Sequence, residues 1–264
     1  MAAAAAVLLA TYLIGWVAHW DAAAFTGLGH LHDHEAVRWI THRFTRLADP
    51  LPTVLMLAAV CVAGFAWGRP RHAIGALLLV AGGAVAGTIL KALLAHPRYG
   101  SLLGSEQLAA DAYPSGHAIA AMSLGLAAVL VTPKRWRAWS AIGAAAYALA
   151  VGTALVINGW HYPSDILGGF LLAAGVGLTV LAAIRTTEHA AGDRTVIRQT
   201  KPALAPALGA LAVTTLAILA LALSRAGEVI SYAEAHTSAV VAALVIALAS
   251  VALVSAVAVE ANER

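Results

Sequence analysis

Charge is what this sequence has least of. Asp, Glu, Lys and Arg make up 11% of its 264 residues, against about a quarter in a soluble globular domain. A chain that is 61% hydrophobic cannot cover a water-facing surface with polar groups, which excludes an ordinary soluble domain. Cysteine is nearly absent too. The lone Cys61 excludes an intrachain disulfide and, inside an apolar run, reads as a small residue facing lipid or a helix neighbour. The net charge of +3 comes mainly from arginines in short loops. It sets membrane topology and leaves no footprint for nucleic acid. Against this apolar background the eleven histidines stand out.

Crossing the hydrocarbon core takes ~20 apolar residues in a helix. Runs of that kind lie at 2–20, 51–68, 72–94, 115–132, 139–158, 163–184, 204–223 and 237–258, giving eight candidate spans. The first lacks a basic leader region and is long enough to cross, so it reads as a retained helix. Abundant Ala and Gly suit close helix packing. The fold class expected is therefore all-α, a polytopic membrane bundle with a six-helix core and two extra C-terminal transmembrane helices. The core occupies 1–185, a polar and basic cytoplasmic linker 186–203, and the two-helix appendage 204–264.

Loop charge orients the bundle. Arg69, Arg71, Lys134, Arg135, Arg137, Arg185, Arg194, Arg198 and Lys201 fall in one set of loops, which the positive-inside rule makes cytoplasmic, with both termini. Residues 21–50, 95–114, 159–162 and 224–236 then lie outside. Residues 33–47 place Val37, Ile40, Phe44 and Leu47 on one helical face and Arg38, His42 and Arg46 on another, the pattern of an amphipathic helix lying at the interface.

The polar residues that look out of place fall in three outer stretches. Lys91 and Arg98 are seven apart, about two helical turns, with His96 and Pro97 between them; two cations at membrane depth suggest a pocket for an anion. Pro114-Ser115-Gly116-His117 opens a helix. There the free N–H groups of the first turn and the Ser115 hydroxyl can cradle phosphate, and Gly116 lets a ligand approach. In the third stretch His161 precedes Asp165 by four residues, so the carboxylate can reach one imidazole nitrogen and leave the other as a nucleophile.

In order and spacing the three stretches resemble the type-2 phosphatidic acid phosphatase superfamily, whose motifs run Lys-x6-Arg-Pro, Pro-Ser-Gly-His and Ser-Arg-x5-His-x3-Asp. The resemblance covers roughly residues 30–185. It implies a membrane lipid phosphatase with His161, His117 and Asp165 as catalytic residues and Lys91, Arg98, Ser115 and Gly116 as phosphate ligands. It also implies an outer-face site, a phosphohistidine intermediate and no cofactor or metal, because Lys and Arg supply the positive charge. The substrate is expected to be a lipid phosphate in the bilayer: polyprenyl phosphate or pyrophosphate, phosphatidic acid or phosphatidylglycerol phosphate. Alanine bias fits a GC-rich bacterial genome, hence a plasma-membrane setting in envelope lipid metabolism.

Two departures stand out. Tyr99 occupies the place of the proline after Arg98, a change expected to matter little. The Ser-Arg pair of the third motif is Ala154-Leu155 here, so a principal phosphate ligand of the family is missing, with His96 or Asn158 as candidate substitutes. A phosphotransferase, or a non-catalytic lipid-phosphate binder or transporter, is the alternative reading. His30, His32 and His34, with Asp33 and His19 nearby, resemble a ligand cluster but read better as a polar interfacial turn. Glu228, Tyr232, Glu234 and His236 likewise read as a polar turn between the last two spans.

Overall fold

The computed structural model describes residues 2–95, 97–190 and 226–262. Among them the chain is 87% helical with no strand. In chain order the helices are α1 (Ala2–Leu13), α2 (Gly15–Gly29), α3 (Glu35–Leu47), α4 (Pro50–Ala66), α5 (Pro70–Leu94), the single turn α6 (Gly100–Leu103), α7 (Gly116–Val131), α8 (Lys134–Ile157), α9 (Pro163–Ala190), α10 (Ala226–Ala235) and α11 (Thr237–Asn262). The span expected at 204–223 and most of the expected linker lie outside the described residues; the linker's first five residues continue α9.

Among the described residues four helices are long and apolar enough to cross a membrane: Pro70–Leu94, Lys134–Ile157, Pro163–Thr187 and Thr237–Ala261. The pair formed by α3 and α4, bent by 58°, would make a fifth. These helices suggest an integral membrane protein, and their outward surfaces agree: Leu55, Val62, Leu78, Ile89, Leu244 and Leu248 are all exposed. At the centre sits α7, buried along nearly its whole length and packed on α4, α5, α8, α9 and α11. Small residues allow that closeness. A Cβ on Gly125 would come within 3.0 Å of the Ala144 Cβ, and one on Gly83 within 2.8 Å of the Ser123 hydroxyl.

The first expected span is not one helix. Ile14 is extended, at φ −114° and ψ 98°, and divides the run at Gly15. The twelve-residue α1 would be only ~18 Å long, well short of the ~30 Å hydrocarbon core. The Tyr113 hydroxyl donates to the Ala4 carbonyl, and Asp21 of α2 accepts from Ser164 at the start of α9. Both halves are thus drawn to one end of the bundle by polar contacts that hydropathy does not register.

The amphipathic segment is α3. Ile40, Phe44 and Leu47 stay exposed, while Thr41 and Thr45 are buried on the side that packs against α8. Its protein-facing strip is therefore threonine, and Thr41 Oγ1 donates to Asn158 Oδ1 at 2.7 Å.

Candidate active site

Three chain reversals meet where α7 and α9 begin. Ser115 caps α7, accepting from the Ala118 N–H at 3.2 Å, the ordinary use of serine at a helix start. Its own N–H donates to the Asp165 carbonyl at 3.1 Å, which joins the second and third stretches through the backbone. The two helices come together there because Gly169 has no side chain: a Cβ would lie 2.9 Å from the Ser115 carbonyl oxygen.

Asp165 is fully buried and uses both carboxylate oxygens. Oδ2 accepts from the Tyr162 N–H at 3.0 Å and lies 3.4 Å from His161 Nδ1. Oδ1 pairs with the Arg98 guanidinium. The other Arg98 amino group donates to Ser164 Oγ at 3.0 Å. Arg98 is 6% exposed and enclosed by the rings of Tyr99, Tyr113 and Tyr162, whose centroids lie 4.9–5.6 Å from the guanidinium carbon. With one face of His161 fixed on a paired carboxylate, its Nε2 is left for chemistry. The guanidinium of Arg98, expected as a phosphate ligand, grips the carboxylate behind the imidazole.

A second buried network backs the first. Asp21 accepts from the Ser164 N–H at 3.0 Å, from Ser164 Oγ at 2.6 Å and from the Tyr99 hydroxyl at 2.8 Å. Burial and the neighbouring Asp21 charge hold the Tyr99 phenol above its usual range, so it remains a donor at physiological pH. Tyr99 also has φ 64°, alone among the described non-glycine residues. Proline, locked near −65°, could not adopt that conformation. Replacement of the family's proline by tyrosine, expected to matter little, thus sets both the backbone path after Arg98 and a donor to Asp21.

His117, in the first turn of α7, takes a different partner: its Nε2 lies 3.1 Å from Asp49 Oδ1. Trp160 stands beside it, ring centroids 5.8 Å apart, with His42 of α3 6.2 Å beyond and His32 5.6 Å further. Lys91 donates to the Asp111 carbonyl at 2.6 Å and is half-buried at the end of α5. A Cβ on Gly116 would meet nothing within 4 Å, so space is open at the start of α7. Ser115 is fully buried and reaches that space only through its backbone neighbour.

The structure thus brings His161, Asp165, Arg98 and the start of α7 into direct contact and sets His117 on Asp49. Leu155 is fully buried in the apolar core. Of the two candidate substitutes, His96 lies outside the described residues, and Asn158 accepts from Thr41 while its Nδ2 is buried without a partner. The histidines of the 30–34 turn diverge: His30 meets His236 at 5.5 Å and His32 meets His42. Asp21, Asp49, Ser164 and Trp160 were not anticipated as site residues. Asp21 had a visible signal, an acidic residue at the edge of an apolar run in a chain so poor in charge.

Comparison with known proteins agrees with the family resemblance. The model of the PAP2 superfamily matches residues 72–188, from the first turn of α5 almost to the end of α9. No curated protein and no solved structure matches the chain. His117, His161, Asp165, Lys91 and Arg98 all fall within the matched segment, whereas Asp21 and Asp49 precede it. Over residues 72–188, then, the chain is similar to the PAP2 superfamily.

Proposed function

We infer a phosphatase-type activity from the match to the PAP2 superfamily over residues 72–188. We propose that the protein is a membrane lipid phosphatase that works through a phosphohistidine on His161. One observation carries this reading: His161 Nδ1 rests on Asp165, itself buried and paired to Arg98. A structural histidine needs no such support, whereas a nucleophile gains a fixed tautomer and a stabilised cation as it forms its bond to phosphorus.

In the first step Nε2 of His161 attacks phosphorus and the bond to the leaving oxygen breaks, with His117 supplying the proton. In the second, water attacks the phosphohistidine, His117 takes the water's proton, and inorganic phosphate leaves with His161 restored. The Gly116 N–H at the start of α7 and the Lys91 ammonium neutralise the equatorial oxygens of the transferring group. Arg98 acts chiefly by holding Asp165. No step in this scheme calls on a metal.

Exposed apolar sides on the helices around the site favour a substrate held in the bilayer, with its phosphate at the outer face. A lipid phosphomonoester or diphosphate of the polyprenyl or glycerolipid class has that form. The test is turnover by the purified full chain in vesicles carrying phosphatidic acid, phosphatidylglycerol phosphate or a polyprenyl diphosphate, read as inorganic phosphate released. The wild type should release phosphate from at least one, and His161→Ala should abolish it. An acid-labile, alkali-stable phosphoryl label should form on the wild type alone. Full activity in His161→Ala would overturn the mechanism, and a labelled lipid or sugar acceptor in place of phosphate would favour transfer over hydrolysis.

A further inference from the structure

Asp49 lies outside the three motifs and outside the matched segment, at the sharp bend between α3 and α4. As the residue before a helix it would ordinarily turn its carboxylate onto the N–H groups of its own first turn. It makes no such cap bond. The next residues are Pro50-Leu51-Pro52, and proline has no N–H, so the third-position donor that an N-cap side chain commonly uses is missing. The carboxylate is directed to His117 Nε2 instead, at 3.1 Å.

The bend that delivers it is itself anchored. Ala48 is buried, the Leu47 carbonyl accepts from the Tyr147 hydroxyl of α8 at 3.1 Å, and α3 is tied to the end of α8 through Thr41 and Asn158. Asp49 is therefore held in place by α8 as well as by its own helix. At this end of the bundle Lys91 is engaged with the Asp111 carbonyl, and His161 and Arg98 with Asp165.

We propose that Asp49 is a positioning residue for His117, forming a second aspartate–histidine pair opposite the first; the inference rests on the phosphatase reading above. Asp49 accepts from Nε2–H, which leaves Nδ1 of His117 to face the reacting oxygen. As the phosphorus–oxygen bond breaks, Nδ1–H gives its proton to the leaving oxygen, and the pairing with Asp49 stabilises the imidazolium until then. In the second step Nδ1 takes the proton from the attacking water. One pair thus presents the nucleophile and the other the acid, each with its tautomer set by a carboxylate.

The experiment compares two substrates on the full-length protein in detergent. Dodecyl phosphate has a basic leaving alkoxide that needs a proton, whereas the leaving oxygen of p-nitrophenyl phosphate needs little help. Asp49→Asn should lower kcat/KM on dodecyl phosphate by about tenfold or more beyond its effect on p-nitrophenyl phosphate, and His117→Asn should show the same selectivity more strongly. That constant reports the step that expels the leaving oxygen and not the shared hydrolysis of the phosphohistidine. Asp49→Glu should recover part of the loss. An equal loss on both substrates, or none, would overturn the proposal, since a merely structural role does not distinguish leaving groups. The nitrogen chemical shifts of labelled His117 give a readout that needs no turnover. The neutral ring should be the Nε2–H tautomer in the wild type and a mixture in Asp49→Asn; unchanged shifts would overturn the pairing. If the wild type turned over neither these phosphates nor any lipid phosphate, the phosphatase reading would fall on that result, while the shifts would still decide whether Asp49 holds His117.

Discussion

Arg98 and His161 hold opposite oxygens of the same carboxylate: the guanidinium pairs with Oδ1 of Asp165, and the imidazole lies 3.4 Å from Oδ2. Arg98, expected as a phosphate ligand, here pairs with the carboxylate that contacts His161. It balances the buried charge of Asp165 and fixes the direction from which that carboxylate addresses His161.

Arg98→Lys separates these two roles. A lysine keeps the charge but loses the planar fork that bonds Asp165 and Ser164 together. If Arg98 acts through Asp165, kcat should fall about ten- to a hundredfold while KM for the lipid phosphate changes little. A role as phosphate ligand would show chiefly as a raised KM. Arg98→Ala leaves Asp165 charged and buried without its partner, a change that costs about 3–5 kcal/mol in comparable pairs. Thermal unfolding in detergent should record it as a large drop in Tm.

Tyr99 makes two contributions that two substitutions can divide. Tyr99→Phe keeps the ring and the backbone but withdraws one donor from Asp21, which should cost about 1–2 kcal/mol of stability and leave turnover largely intact, because Ser164 still donates twice. Tyr99→Pro restores the family's residue yet cannot reach φ 64°. It should therefore lower both Tm and kcat, by displacing Arg98 next door. Equal or improved activity in Tyr99→Pro would show that the backbone there relaxes freely.

What could be read in the chain divides along physical lines. Contiguous motifs were legible because a helix start fixes its own geometry: a helix opening at Pro114-Ser115-Gly116-His117 and His161 four residues before Asp165 need only local structure. Six of the eight expected apolar runs fall on α4, α5, α7, α8, α9 and α11; among the described residues α5, α8, α9 and α11 are long enough to cross by themselves, whereas α7 is shorter and α4 qualifies only with α3. The break at Ile14 was not legible, because hydropathy counts apolar residues and cannot see that Asp21 is drawn to Ser164, 143 positions away. Asp49 was missed for the same reason: its partner, His117, lies 68 positions on. The conformation of Tyr99 was hidden because φ is not written in residue type except at glycine and proline.

Gly169→Ala tests the contact that brings α7 and α9 together. The added methyl would sit 2.9 Å from the Ser115 carbonyl oxygen, 3.0 Å from the Ala118 Cβ and 3.2 Å from the Ile119 nitrogen. Two of these are backbone atoms that a rotamer change cannot move. Overpacking of this kind costs about 1–3 kcal/mol. It should also part the Ser115 N–H from the Asp165 carbonyl, so kcat should fall further than the change in Tm alone would account for. Gly143→Ala, where a Cβ meets nothing within 4 Å, is the matched control and should leave both unchanged.

Leu155→Arg asks whether the family's third-motif arginine can simply be put back. Its position is fully buried within the apolar core. The Leu155 carbonyl accepts from the Trp160 N–H at 3.0 Å, so the backbone turn that leads to His161 depends on this residue staying in place. A guanidinium there has two courses. Remaining in the core, it is a buried unpaired charge and costs several kcal/mol; leaving the core, it opens a cavity and pulls on the turn that carries His161. Either course should lower Tm in detergent, and neither should raise turnover of a lipid phosphate. A gain in kcat with Tm unchanged would mean that the site still has the vacancy the family's arginine fills, and that the loss at Leu155 is reversible by one substitution.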